Sequence, residues 1–245
     1  MSTAAISDIH SNIEALQTVL ERIKALEVDE IVCLGDIVGY NASPNECIDI
    51  LRNENATCIL GNHDASAADI EEPSEFNPPA RAAVLWTREE LTKESRRFLA
   101  NLRRELQVRD FYLFHGSSHE TDRYIFSREN AADNFQLLAG LPAAISIGFF
   151  GHTHVRAAFD ERRGIVTVLS MPEELALSPS IKYLINPGSV GQPRDGDPRA
   201  SFLVYDDLDR RVVFHRVAYN IRACQDKIIR SGLPSQLAER LDYGW

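Results

Sequence analysis

The chain has 245 residues, 44% hydrophobic and 25% charged, with 26 Lys and Arg against 36 Asp and Glu for a formal charge of −10. Such a composition belongs to a globular protein long enough to bury about three quarters of its unfolded surface. The acidity opposes binding to extended nucleic acid or an anionic membrane through a broad basic surface.

Short β-rich runs alternate with amphipathic stretches at the start. They predict a strand at 3–7, a helix over 12–26 with Ile13, Leu16, Leu20 and Ile23 on one face, a strand at 30–34, a helix over 44–52 and a strand at 56–60. The acidic, proline-containing stretch 69–79 reads by default as a solvated connector, with a lid as the alternative. A helical pair over 80–104 follows. Strands are then expected at 111–114, 145–150, 156–159, 165–169, 183–185, 202–205 and 212–217, and a last helix at 221–230. Two mixed sheets packed face to face, with helices outside, would accommodate βα units followed by hairpin-like strands, an α/β (α+β) class. No repeat or linker divides the chain, so one domain over 1–245 is expected.

No apolar run reaches the roughly 18 residues of a membrane helix; the longest, 141–150, is broken by Pro142 and Gly148. The start MSTAAISDIH has no basic region and meets Asp8 early, so a cytoplasmic location is expected rather than export. Cys33, Cys47, Cys58 and Cys224 form no C-x-x-C pair and read as small packed hydrophobes.

Five motifs occur in order: Asp8-Ile9-His10, Gly35-Asp36, Gly61-Asn62-His63-Asp64, Phe114-His115-Gly116 and Gly151-His152-Thr153-His154. D-x-H or G-D alone means nothing in a chain this long. By chance, GNHD is expected in roughly one such chain in several hundred and GHxH in about one in thirty, so their ordered occurrence is a strong signal. Side chains two apart in an extended segment share a side, making Asp8 with His10, and His152 with His154, two pincers. Imidazole nitrogen with carboxylate or amide oxygen suits Mn²⁺, Fe²⁺, Zn²⁺ or Co²⁺ better than Ca²⁺. Seven donors are too many for one tetrahedral ion but fit two ions about 3.5–4 Å apart sharing a carboxylate and a water. Two dications, less the charges of Asp8, Asp36 and a bridging hydroxide, leave a positive pocket that attracts a phosphate ester and makes hydroxide available as nucleophile.

This ordered set resembles the calcineurin-like metallophosphoesterase superfamily over positions 8–154. The run Ile185-Asn186-Pro187-Gly188-Ser189-Val190 resembles a segment of its small single-domain prokaryotic phosphodiesterases. The resemblance implies a distorted β-sandwich flanked by helices in four αββα layers. It also implies a ligand set: Asp8, His10 and His154 on one metal, Asn62, His115 and His152 on the other, and Asp36 bridging both. His63 would protonate the leaving oxygen, assisted or oriented by Asp64. The position three after Asp36 is Gly39, with Tyr40 one further on, so the tyrosine ligand of purple acid phosphatases is not matched. Ser11 stands where glycine is frequent in related small phosphodiesterases.

The expected activity is therefore hydrolysis of a phosphodiester, a nucleotide-type small molecule, by in-line attack of a metal-bridging hydroxide with two divalent ions (Mn, Zn or Fe). The alternatives are a phosphomonoesterase or protein phosphatase with the same site, and a non-catalytic scaffold of the same fold. Asn12 reads as a helix cap and His215 as structural, while His119 lies close enough to His115 to line the pocket. Specificity is expected from loops 69–79 and 170–180. Arg123, Arg156 or Arg194 could clamp a second phosphate, and no substrate-binding residue is selected among them.

Overall fold

Every residue of β1 (Ser2–Ile6) after the first is buried, as in a strand covered on both faces. In this computed structural model, which describes residues 1–117, 122–142 and 144–245, it is the central strand of a sheet. It pairs in parallel with β2 (Glu30–Cys33), and β2 with β3 (Thr57–Cys58). The crossovers are α1 (Ile13–Ala25), which starts where the Asn12 side chain accepts from the Ala15 N–H at 3.1 Å, and α2 (Pro44–Asn53), which starts with proline in its first turn. On the other side of β1, β11 (Ala200–Asp206), β12 (Arg211–Val217) and β9 (Glu174–Ala176) add antiparallel.

The second sheet runs in the order β4 (Glu105–Val108), β5 (Phe111–Phe114), β6 (Ile147–Phe149), β10 (Lys182–Pro187), β7 (Arg156–Arg162), β8 (Ile165–Val168). Its β5, β6 and β10 are parallel and the outer pairs antiparallel. Val32, Leu34, Phe111, Phe149, Ile185 and Tyr205 fill the space between the sheets. On the outer face of the first sheet, Leu16, Leu51, Val84 and Leu99 pack against Ala4, Ile6 and Phe202; they come from α1, α2, α4 (Pro78–Glu90) and α5 (Lys93–Ala100). On the outer face of the second, Ala131, Phe135 and Leu138 of α6 (Arg128–Gly140) cover Phe114, Phe150 and Phe159. The order is helix, sheet, sheet, helix, as expected. A C-terminal group of α7 (Ile221–Arg230), α8 (Ser235–Glu239) and the 3₁₀ turn Arg240–Asp242 packs against Tyr40 and α4.

Several elements depart from expectation. The helical pair stops at Ala100, and the chain then bridges Ile59 to Arg103 and enters β4. The short helix α3 (Asn62–Ala67) carries the GNHD motif itself. The segment 170–180, expected to be a specificity loop, contributes β9 to a sheet edge. Among the described residues no helix is long and apolar enough to cross a membrane.

Candidate metal centre

The ligand candidates emerge from the carboxyl ends of five strands: Asp8 and His10 after β1, Asp36 after β2, Asn62 after β3, His115 after β5, and His152 and His154 after β6. The loops are bonded to one another. Asp8 and His10 donate their backbone N–H groups to the carbonyls of Gly35 (3.1 Å) and Asp36 (2.9 Å), Gly151 to that of His115 (2.7 Å), and His152 to both carboxylate oxygens of Asp8 (3.1 Å each). The pincers are not made by strand pleating, as expected. Asp8, His10, Asp36, His152 and His154 all have left-handed backbones, with φ between 49° and 67°. Ser11 does too, at 57°, a position where glycine would be free of strain.

All seven expected ligands are brought together and buried. Oxygen or nitrogen atoms of Asp8, His10, Asp36 and His154 lie within 4.8 Å of one another, as do those of Asp36, His115 and His152, so Asp36 belongs to both groups. His10 Nε2 is 3.0 Å from His154 Nε2 and 3.5 Å from Asp36 Oδ2. His115 Nε2 is 3.2 Å from both Asp36 Oδ2 and Asn62 Oδ1, which places Asn62 in the second group.

The other ring nitrogens decide what these contacts mean. His10, His115 and His154 each turn Nδ1 to a backbone carbonyl, of Val38 (3.0 Å), Leu34 (2.7 Å) and Gln192 (2.6 Å); His152 turns Nε2 to that of Asp122 (2.8 Å). A carbonyl can only accept, so the proton sits on that nitrogen and the remaining lone pair faces the cluster. Lone pairs then confront one another and the carboxylates of Asp8 and Asp36, and among the described residues Asp36 Oδ2 accepts no hydrogen bond. This is a donor set that cations satisfy and protein groups do not.

The electrostatics agree for His10, His152 and His154, whereas Asp36 holds a second proton on His115 that a cation would displace. Burial pushes His152 down to about 3 and holds His10 and His154 well below the usual imidazole range, which keeps them in the neutral form a cation needs. Burial raises the Asp8 carboxyl to about 7. Burial opposes charge at His115 and Asp36 as well, but each outweighs it for the other: His115 rises to about 9 and Asp36 falls well below the carboxylate range.

His63 lies with its ring against Tyr40, Phe76 and His10, centroids 4.5, 4.5 and 4.8 Å away, and its backbone N–H donates to Asp36 Oδ1 at 2.9 Å. Burial lowers it to about 4. The expected orientation of His63 by Asp64 is replaced by another arrangement. The Asp64 oxygens accept from the N–H groups of Val38 (3.0 Å) and Gly61 (3.1 Å), tying the Asp36 loop to the start of α3.

The Asn186–Val190 run braces the centre. Asn186 Nδ2 donates to the Gly151 carbonyl (2.8 Å) and to Thr153 Oγ1 (3.1 Å), and Ser189 Oγ donates to the Asp8 carbonyl (2.8 Å). A cavity of about 180 Å³ opens above the ligands, walled by Tyr40, His63, Phe76, Tyr124 and Arg194. The sequence reading missed Tyr40, Phe76 and Tyr124 as wall residues. Glu75, Phe76 and Asn77 bring the 69–79 segment to the cavity. His215 stacks on Phe202 at 4.8 Å, and His119 lies outside the described residues.

A family model for the calcineurin-like phosphoesterase superfamily domain matches residues 1–209. An uncharacterized protein of Methanocaldococcus jannaschii is 36% identical over 245 residues, covering 98% of this chain and 97% of that one. The crystal structure of a metallophosphoesterase from Sphaerobacter thermophilus is 38% identical, covers 100% of this chain and 99% of its own, and superposes with a TM-score of 0.86. A hypothetical protein of Pyrococcus horikoshii OT3, 21% identical, shares the fold at a TM-score of 0.81, covering 100% of this chain and 98% of its own.

Proposed function

The chain belongs to the calcineurin-like phosphoesterase superfamily, and from that premise we propose that it hydrolyses a small phosphodiester with two divalent cations, of Mn, Zn or Fe. The observation that carries this reading is the convergence of four ring nitrogens and the Asp8 carboxylate on Asp36, with the other nitrogen of each ring turned to a backbone carbonyl.

In this reading Asp8, His10 and His154 hold one cation, Asn62, His115 and His152 the other, and Asp36 serves both. Bound there, the cations supply Lewis acidity and a water nucleophile active near neutral pH. Charged by the bound phosphate anion, which would offset its burial, His63 delivers a proton to the leaving oxygen from the cavity wall, its ring fixed by Tyr40 and Phe76 rather than by a carboxylate. Asp64 positions the loops that carry Asp36 and Asn62. The 69–79 segment, through Phe76, forms a lid beside His63.

The test is hydrolysis of bis(p-nitrophenyl) phosphate after chelation and Mn²⁺ add-back, beside p-nitrophenyl phosphate as the monoester. Activity should vanish with the metal and return with it, faster on the diester. His63→Ala should lower kcat about 100-fold or more while metal content stays at two per chain. Equal rates for wild type and His63→Ala would defeat the assignment.

A further inference from the structure

Of the three arginines that could clamp an anion, the structure singles out one. Arg123 is exposed and pairs with Asp133 at 3.5 Å, and Arg156 lies over the Phe214 ring. Arg194 lines the cavity. Its Nη2 donates to the Tyr40 hydroxyl and to Gln192 Oε1, both at 3.1 Å, and its guanidinium lies 5.6 Å from the Tyr40 ring centre. Every one of these partners is neutral. Its Nε is buried and donates to nothing among the described residues, which also offer it no ion pair.

A counter-ion role toward Asp8 and Asp36 is the plain explanation, and charge arithmetic argues against it. Two dications bring four positive charges to two carboxylates, so the ligand shell is already over-neutralised and Arg194 adds to the excess. A second cation lies within electrostatic reach. Arg240, in the 3₁₀ turn, donates Nε to the backbone oxygen of Trp245 and is lowered by burial and then by the charge of Arg194. Guanidinium groups within reach of each other repel, and a bound anion relieves the repulsion.

We propose that Arg194, backed by Arg240, forms an anion-binding arm that receives a phosphoryl oxygen of the substrate not held by the cations. Tyr40 and Gln192 fix one side of the planar fork through Nη2, leaving Nη1 for the ligand. That oxygen belongs to the scissile phosphoryl group or to a second phosphoryl group beside it. The arm rests on the phosphoesterase reading but is read out by binding.

Calorimetric titration of the Mn²⁺-loaded protein with methylphosphonate and with methylenediphosphonate, at fixed free Mn²⁺, separates the two sources without turnover. Arg194→Gln should weaken binding by about tenfold or more, with part recovered in Arg194→Lys and metal stoichiometry unchanged. Equal loss for both ligands assigns the arm to the scissile phosphoryl, and loss for the diphosphonate alone assigns it to a neighbouring one. Wild-type affinity for both ligands in Arg194→Gln, or loss of metal from that variant, would overturn the proposal. Failure of the catalytic reading shows separately, as wild-type protein that binds these phosphonates through Arg194 yet turns over no ester.

Discussion

Holding Asp8, His10, Asp36, His152 and His154 in left-handed conformations costs about 1–2 kcal/mol each. Asp and His tolerate that region better than branched or bulky residues, but the conformations persist only because the surrounding loops over-determine them. One tight point of that support is Gly61. A Cβ there would lie 2.1 Å from Asp36 Oδ1 and 2.3 Å from the Asp36 backbone nitrogen, both parts of the residue common to the two ligand groups. Gly61→Ala is therefore expected to displace Asp36 and weaken Mn²⁺ binding by about 10- to 100-fold. Titration of metal into the chelated variant checks this, and unchanged affinity at both sites would show that Asp36 has more freedom than its packing allows. The D-x-H and H-x-H spacings pick out residues whose side chains do meet, but a left-handed turn at each of them, not strand pleating, aims those side chains.

At the level of elements, Asn12 joins a helix to the site's scaffold. Its Oδ1 caps α1 at Ala15 and its Nδ2 donates to the Gly191 carbonyl at 2.9 Å, beyond the Ser189 that braces Asp8. Asn12→Ala removes a cap and leaves a buried carbonyl unpaired, a loss of about 2 kcal/mol or more. A drop in Tm of about 5 °C or more should follow for a chain of this size, with Asn12→Ser recovering the cap's share. A variant as stable as wild type would mean that water replaces both bonds. Capping signals of this kind made α1 legible, and continuous apolar or amphipathic runs made β5 and α7 readable with their observed bounds. Elsewhere the pattern was too thin. The face of α6 rests on Ala131, Phe135 and Leu138 with a buried Asn134 among them, and β9 is three residues long and exists through pairing with β12. The site divided the same way. Its ligands announce themselves as motifs, whereas Tyr40, Phe76 and Arg194 become wall residues only when distant segments close over the centre.

Across the whole molecule, the turn that carries Arg240 is tied by the loop 194–199 to the side where the Asp and His side chains cluster. Gly196 donates to the Gly244 carbonyl at 3.0 Å, and Gly244 lies so close to the Asp197 backbone that a Cβ would sit 2.7 Å from it. Asp197 holds this loop in shape. Its oxygens accept from the Arg199 side chain at 2.6–3.2 Å and from the Arg199 backbone N–H, with Arg216 Nε 3.9 Å away and Arg216 itself paired to Asp195. The Arg199 hydrogen bonds, against a smaller opposing effect of burial, bring the Asp197 carboxyl down to about 2. A carboxyl lowered on folding contributes stability that is complete above its unfolded value, near 4, and is lost as pH falls through the folded value near 2. Acidification across that window should release the C-terminal residues 235–245; the same window charges the buried His63 and His152 and loosens the strand ends that carry them, while the interiors of the sheets, held by apolar packing, stay closed. Hydrogen exchange, corrected for intrinsic rates, should show protection of 235–245 falling between pH 4 and pH 2 while β1, β6 and β10 keep theirs. Asp197→Asn should show the weakened C-terminal protection already at neutral pH. C-terminal protection that is independent of pH, or lost together with that of the sheets, would place the anchor of this turn elsewhere.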